Sequence, residues 1–446
     1  MSESPGSALL SQALDRLGDS PRFIVQSRVT RVVGQIVEAS PLEVSVGEVC
    51  RVVAGGTSLL ALVVGFNQRG VSLMPMGEVE GIQPGAAVRP LGRSLYVSVG
   101  PGLIGRILDG LGHPLDGGAP VPHAVRRPLN ASPPNPLERA RISAPLGTGV
   151  RAIDGLLTLG QGQRIGIMAG SGVGKSVLLG MIARRTTADV NVIALLGERG
   201  REVREFIESD LGPEGLERSV LVVATSDQPA VVRATGALVA TGIAEYFRDQ
   251  GRQVLLMVDS ITRVAMAWRE IGLAAGEPPT TKGYPPSVFA HLPRLLERAG
   301  PGVVGGITAL YTVLVEGDDF SEPVADATRS ILDGHIVLAR RLAAAKHFPA
   351  IDILESVSRV RDAVIPATSR EAANAILQLE AAYRAHEDLI AVGAYKPGAN
   401  PRVDAALTMR EELLTFLQQH PDEWASFADT QARLQSLATP LKRTPS

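Results

Sequence analysis

Lys175 and Ser176 close the run Ala169-Gly170-Ser171-Gly172-Val173-Gly174-Lys175-Ser176, a spacing that can hold a polyphosphate. Glycines at 170, 172 and 174 allow a tight turn whose N–H groups converge on phosphate oxygens, helped by the positive end of a following helix. The backbone of Gly170, Ser171, Gly172, Val173 and Gly174, with Val177 just beyond, is therefore the expected nucleotide cradle. Lys175 would reach the β- and γ-phosphates, and the Ser176 hydroxyl suits Mg2+, a hard cation that takes oxygen ligands. Ala169 stands where G-x-x-x-x-G-K-[ST] has its first glycine, a mild departure.

Hydrolysis needs more than a cradle: a metal anchor, a group that orients water and a charge stabiliser. Val254 to Asp259 reads as a buried strand ending in a carboxylate, so Asp259 is the expected partner of Ser176 around the metal. Glu198, in Gly197-Glu198-Arg199-Gly200-Arg201-Glu202, follows another apolar strand at the end where open α/β sheets bind ligands. That position suits it to polarise an attacking water; the structural alternative is a helix-start glutamate stabilised by the dipole.

These residues need strands and helices to hold them. Arg164 to Met168 reads as the strand before the loop and Ser176 to Ile182 as the helix after it. Strands at 190–196, 219–224, 253–258, 303–315 and 336–338 alternate with helices at 202–210, 234–250, 261–271 and one ending at Glu297. This order predicts a parallel sheet with helices on both faces. Ahead of it, from 28 to 97, short β-rich runs broken by Gly turns predict a small barrel or sandwich. Gly- and Pro-rich residues 98–150 read as an irregular connector. Beyond Pro366 the strand signals end; Thr368 with Glu371 forms a capping box before Ala372, Ile376, Leu379 and Tyr383 at helical spacing. At the other terminus Leu9, Leu10, Ala13, Leu14 and Leu17 make a narrow stripe that fits either a partner or the chain's own domain.

Composition narrows the function classes. A chain of 446 residues exceeds one hydrophobic core, and 45% apolar with 20% charged residues is globular. A net charge of -2 gives no electrostatic case for bulk nucleic-acid binding. Within the β-rich segment 28–97, Phe66 and Tyr96 are the only aromatics and offer no platform for a single strand. Cys50, the single cysteine, excludes an internal disulfide and suits a reducing cytoplasm. The histidines at 113, 123, 291, 335, 347, 386 and 420 form no ligand pair. The longest apolar run, Val303 to Val315, is interrupted by Gly305 and Gly306 and is too short to span a bilayer.

Several longer stretches carry a resemblance. Gly197 to Val203, Tyr284 to Phe289, Leu292 to Arg298, Ile307 to Asp319 and Ile331 to Ile336 resemble the flagellar and type III secretion export ATPases, over about residues 28 to 420. That family is similar to the catalytic subunit of rotary ATP synthases. The resemblance implies an N-terminal β-barrel (28–97), a central RecA-like α/β P-loop domain with a parallel sheet (98–367) and a C-terminal helical domain (368–446), after a partner-binding tail (1–27). It implies a homohexamer that hydrolyses ATP with Mg2+, with Glu198 orienting water beside Arg199 and Asp259 holding the metal through water. Arg263 would link the γ-phosphate site to Glu198, and Arg359, in Ser356-Val357-Ser358-Arg359, would act as a finger in the neighbour's site. Related sequences stack a tyrosine on adenine; after Arg359 this chain has no such residue and carries Arg370 near that place. Lys282 stands where relatives often carry arginine in a loop thought to face the ring channel.

The implied partners are a stator-like regulator at the N-terminal helix, export chaperones and their substrates, and an export apparatus at the membrane base, with no nucleic acid. The implied location is cytoplasmic and peripheral to the inner membrane. Rival expectations are a non-catalytic ring subunit, which typically has glutamine in place of Glu198; an RNA-translocating hexamer, which needs a basic aromatic barrel; and a rotary synthase subunit, which carries an acidic lever loop.

Overall fold

A computed structural model of the chain describes residues 25–54, 56–315 and 321–443. The leucine stripe at 9–17 lies outside the described residues. The chain divides into two compact units, meeting at Arg93 and Ser94.

The first unit is a closed barrel of β1 (Ser27–Val33), β2 (Ile36–Ala39), β3 (Glu48–Ala54), β4 (Thr57–Asn67), β5 (Gly70–Pro75) and β6 (Ala87–Ser94), in the order β1-β2-β5-β4-β3-β6. β1 pairs with both β2 and β6, so no edge remains unpaired. Alternation sends Val37, Val52, Val63, Leu73 and Val88 inward, where they pack with Cys50. Burial pushes the Cys50 thiol up to about 11, which keeps it protonated and inert.

In the second unit, β7 (Tyr96–Val99) pairs with β9 (Val125–Pro128), and β8 (Ile107–Asp109) lies between them in sequence. The connector is thus not wholly irregular. β8 adds a parallel edge strand beside β14 (Ser219–Ala224); three residues among glycines leave no readable period. A two-residue ribbon joins β10 (Pro145–Leu146) to β11 (Leu159–Gly160). The main sheet then comprises β12 (Arg164–Ala169), β13 (Val190–Leu196), β14, β15 (Gln253–Asp259), β17 (Gly306–Leu314), β18 (Gly334–Leu338) and β19 (Ile351–Ser358), with β16 (Gly300–Pro301) on β17. Its order is β19-β18-β12-β17-β15-β13-β14-β8, parallel throughout except for β19. Strands buried on both faces read as nearly continuous apolar runs, as in Val190–Leu196, where Asn191 is the one polar residue.

Three expectations need correction, and one strand, β19, was not among the expected elements. The strand expected from Val303 begins at Gly306; Val303 and Val304 are exposed in a turn, because Gly305 lies against the carbonyls of Arg248 and Arg252 with no room for a side chain. The helix expected at 202–210 is Gly200–Glu205 running into a π-helical turn, Phe206–Leu211. β19 was not readable, since charged and polar residues interrupt its apolar ones. Finally, the long helix Ala367–Ala391 starts after Pro366 with no side-chain cap, so Thr368 is already helical and the capping box does not form.

Past β19 every regular element is helical among the described residues. Ala372, Ile376, Phe416 and Leu434 from these helices share one apolar cluster with Ile167, Leu178, Ile193 and Leu255 of the sheet and its helices. The C-terminal helices therefore pack into the core that supports the phosphate loop.

Candidate active site

The loop leaves β12 in the middle of the sheet and enters the helix Lys175–Arg185. Ala169 is the last residue of β12, paired with Leu314 and Leu338, so no special backbone conformation is demanded there. Gly172 and Gly174 carry the left-handed φ values, +78° and +88°, which explains glycine at both. Ser171 and Gly172 are exposed and Val173 is buried, anchoring the loop from below. Gly174 precedes the helix with no side-chain cap, leaving the first-turn N–H groups directed outward.

Parallel register brings three carboxylate- and cation-bearing positions together. β13 and β15 are adjacent, with Leu195 level with Asp259, so Glu198 after β13 and Asp259 at the end of β15 share one rim with the loop after β12. Lys175 Nζ lies 3.3 Å from Glu198 Oε1 and 2.5 Å from Asp259 Oδ1. Thr312 on β17 donates its hydroxyl to the same Asp259 oxygen at 2.7 Å. Burial acts against the charged Lys175, but Asp259 and Glu198 outweigh it and hold the ammonium above its ordinary range. Burial raises Glu198 above the usual glutamate range; Lys175 opposes that rise and Asp259 adds to it.

Arg263, one turn into the helix Ile261–Ala274, contributes positive charge felt by Glu198. Its Nε is buried without a hydrogen-bond partner. Gly197, at φ +74°, lies against this side chain; a Cβ there would come within 2.9 Å of Arg263 Cβ. Ser260 caps the helix by accepting from the Arg263 N–H, which fixes where Arg263 emerges. Arg199 points to solvent, 78% exposed, with only Glu202 at 3.8 Å.

Arg359 is not brought to this rim. Gly334 pairs with Ser358, whereas Leu338, level with Ala169, pairs with Ile351. Since β19 runs antiparallel, its end carries exposed Arg359 to the opposite edge of the sheet. Four residues separate Gly334 from Leu338, which is on the order of 13 Å along the strand at about 3.3 Å per residue. Arg359 is thus held away from the phosphate loop of its own chain.

The start of β19 has the reverse property. Phe348, just before it, sits beside the phosphate loop, its ring 3.6 Å from where a Gly174 side chain would begin. Phe348, Val177, Met181, Lys346 and residues 418–421 line a cavity of about 500 Å3. An exposed aromatic face next to a phosphate cradle suits a nucleotide's base. The resemblance implies a stacking tyrosine after Arg359, where this chain carries Arg370; the aromatic beside the loop, Phe348, precedes that strand. The signal available was Phe348-Pro349, an aromatic–proline pair entering the strand that ends in Arg359.

Ser176 and Asp259 supply one hydroxyl and one carboxylate. This matches Mg2+, which binds through one or two protein oxygens plus phosphate and water and needs no cage of acidic residues. Among the described residues no cluster of His, Cys, Asp and Glu forms such a cage, and no helix is long and apolar enough to cross a membrane.

Residues 149–358 match the model of the ATP synthase alpha/beta family nucleotide-binding domain, residues 29–92 that family's β-barrel domain, and residues 365–436 the T3SS EscN ATPase C-terminal domain. The chain is 55% identical over 413 residues to the flagellum-specific ATP synthase of Bacillus subtilis, covering 92% of this chain and 94% of that one. It is 51% identical to the type 3 secretion system ATPase of Xanthomonas euvesicatoria, covering 92% and 93%. The assembled ATPase EscN of enteropathogenic E. coli superposes with a TM-score of 0.88 at 46% identity, over 93% of this chain and all of that one. EscN bound to its central stalk EscO gives a TM-score of 0.86.

Proposed function

Because this chain belongs to the flagellar and type III secretion ATPases, we propose that it hydrolyses Mg-ATP in a homohexameric ring that drives protein export. The observation that carries the catalytic reading is the convergence of Lys175, Glu198 and Asp259 at one rim. Lys175 and the loop N–H groups hold the β- and γ-phosphates. Ser176 and Asp259 would hold the metal, which would neutralise charge on the phosphates. Glu198, kept partly unsolvated, accepts a hydrogen bond from the attacking water and aims it at the γ-phosphorus, with Arg263 steadying Glu198. Arg359 of the adjacent subunit supplies positive charge that offsets the negative charge developing on the leaving oxygen. Arg199, exposed beside Glu198, faces the same subunit boundary in this reading.

Hydrolysis is proposed to release chaperones and unfold export substrates at the cytoplasmic face of an export apparatus, with the stripe Leu9 to Leu17 docking a stator-like regulator. EscN has been solved with a central stalk, which supports a protein partner for the ring. Colorimetric phosphate release by the purified chain, with and without Mg2+, tests the reading. Turnover that requires the metal and disappears in Glu198→Gln supports it, and full turnover in that variant would remove Glu198 from its role.

A further inference from the structure

Arg359 stands exposed at the end of β19, so its direction depends on what holds the backbone beneath it. The Arg359 N–H donates to the Asp333 carbonyl at 3.0 Å. Asp333 immediately precedes β18, and two consecutive residues at the start of β12 hold it from both sides. Gln163 Nε2 donates to the same Asp333 carbonyl at 3.2 Å. Arg164 takes the carboxylate: its N–H and Nε donate to Oδ2 at 3.0 Å and 3.1 Å, and Nη2 donates to Oδ1 at 3.1 Å. A two-pronged contact of this kind fixes orientation as well as distance.

Gln163 is the shared point of this arrangement. Its side chain is fully buried, so its amide must find partners inside the protein. Oε1 accepts from the Gly160 N–H at 2.9 Å, and Nε2 donates a second time, to Ser358 Oγ at 3.1 Å. That hydroxyl gives its own proton to the Thr158 carbonyl at 2.9 Å, which leaves it an acceptor towards Gln163. One buried amide therefore touches both the carbonyl on which the Arg359 N–H rests and the residue just before Arg359. The phosphate loop lies at the other end of β12, on the order of 20 Å away for six residues at about 3.3 Å each.

We propose that Gln163 is a positioning residue for Arg359: through Asp333 and Ser358 it aims the guanidinium at the phosphate site of the adjacent subunit, and it plays no part in the phosphate site of its own chain. The inference rests on the reading of Arg359 as a finger acting between subunits.

The test uses the full chain. Gln163→Met, similar in length but without the amide, should lower kcat about 10- to 100-fold, the scale of a misplaced catalytic group. Affinity for a fluorescent ATP analogue should change less than about 2-fold, with ring formation by light scattering unaltered. Ser358→Ala should lower kcat about 3-fold in the same way. Added to Arg359→Ala, neither change should cost further turnover, since both act through the missing side chain. Mixed rings give the direction of the effect. Joined with Lys175→Ala chains, which keep a finger but lack a cradle, Gln163→Met chains should regain ATP hydrolysis; joined with Arg359→Ala chains they should not, because neither supplies an aimed finger. The opposite pattern of rescue, additive losses in the double variants, or a loss of nucleotide affinity as large as the loss of kcat would overturn the inference. If Gln163→Met chains form no rings, Ser358→Ala in the Arg359→Ala background decides by the same additivity. Full turnover in Arg359→Ala alone would instead remove the finger reading, and the inference with it.

Discussion

Residues 169–176 supply the phosphate cradle from one continuous stretch, whereas the cavity beside it draws on Phe348, on Val177 and on a turn near residue 420. The cradle is backbone chemistry: Gly172 and Gly174 set its curvature, and the parallel sheet delivers Glu198 and Asp259 to it by register. The cavity is packing chemistry, since its wall is held by Arg151 and Gln419 from separate elements. The first half should govern turnover and the second should govern affinity, and substitutions can separate the two.

Lys175→Ala should abolish phosphate release within detection, because it also leaves Asp259 and Glu198 facing each other without their shared cation. Residual turnover above a few per cent would break the division. Glu198→Gln should lower kcat by about 10^3 while nucleotide still binds, the scale expected for a positioned base; equilibrium binding of a fluorescent ATP analogue beside a turnover assay checks both halves of that statement. Phe348→Ala should leave kcat close to normal and weaken ATP binding by about 10- to 100-fold, the range for loss of one base–aromatic stack. A fall in kcat with unchanged affinity would place Phe348 on the chemical side instead.

The smallest effect concerns pH. Glu198 must be ionised to accept from water, and burial together with Asp259 raises its pKa, against the pull of Lys175. As pH falls, Glu198 takes up its proton at a higher pH than a free glutamate would. The acid limb of kcat should thus begin above the ordinary glutamate range, with nucleotide affinity following no such limb over that interval. A kcat that stays flat down to the usual glutamate range would show that Glu198 is not the titrating group.

Legibility followed the same line as the chemistry. The cradle, the carboxylate Asp259 that ends the strand beside it and the adjacent strands were readable because each signal is local: glycine spacing, an apolar run, a terminal carboxylate. Glu198 was readable as a residue after a strand, though its distance to Lys175 was not. The base cavity was out of reach, since nothing in the neighbourhood of Phe348, Gln418 or Arg151 announces contacts with segments more than seventy residues away. β8 and β19 were lost for a related reason: an edge strand pairs on one side only, so short or mixed sequences suffice. A role for Arg359 is implied only by the resemblance; register carries it away from the phosphate loop, so its own chain offers it no phosphate to meet.

That absence makes the central claim testable in one experiment. Arg359→Ala chains keep a complete cradle but lack the finger, and Lys175→Ala chains keep the finger but lack the cradle. Each should be nearly inactive alone; mixed and allowed to reassemble, they should recover ATP hydrolysis at boundaries where an intact Lys175 meets an intact Arg359. No recovery, in mixtures shown by subunit exchange to form joint rings, would contradict a site shared between subunits.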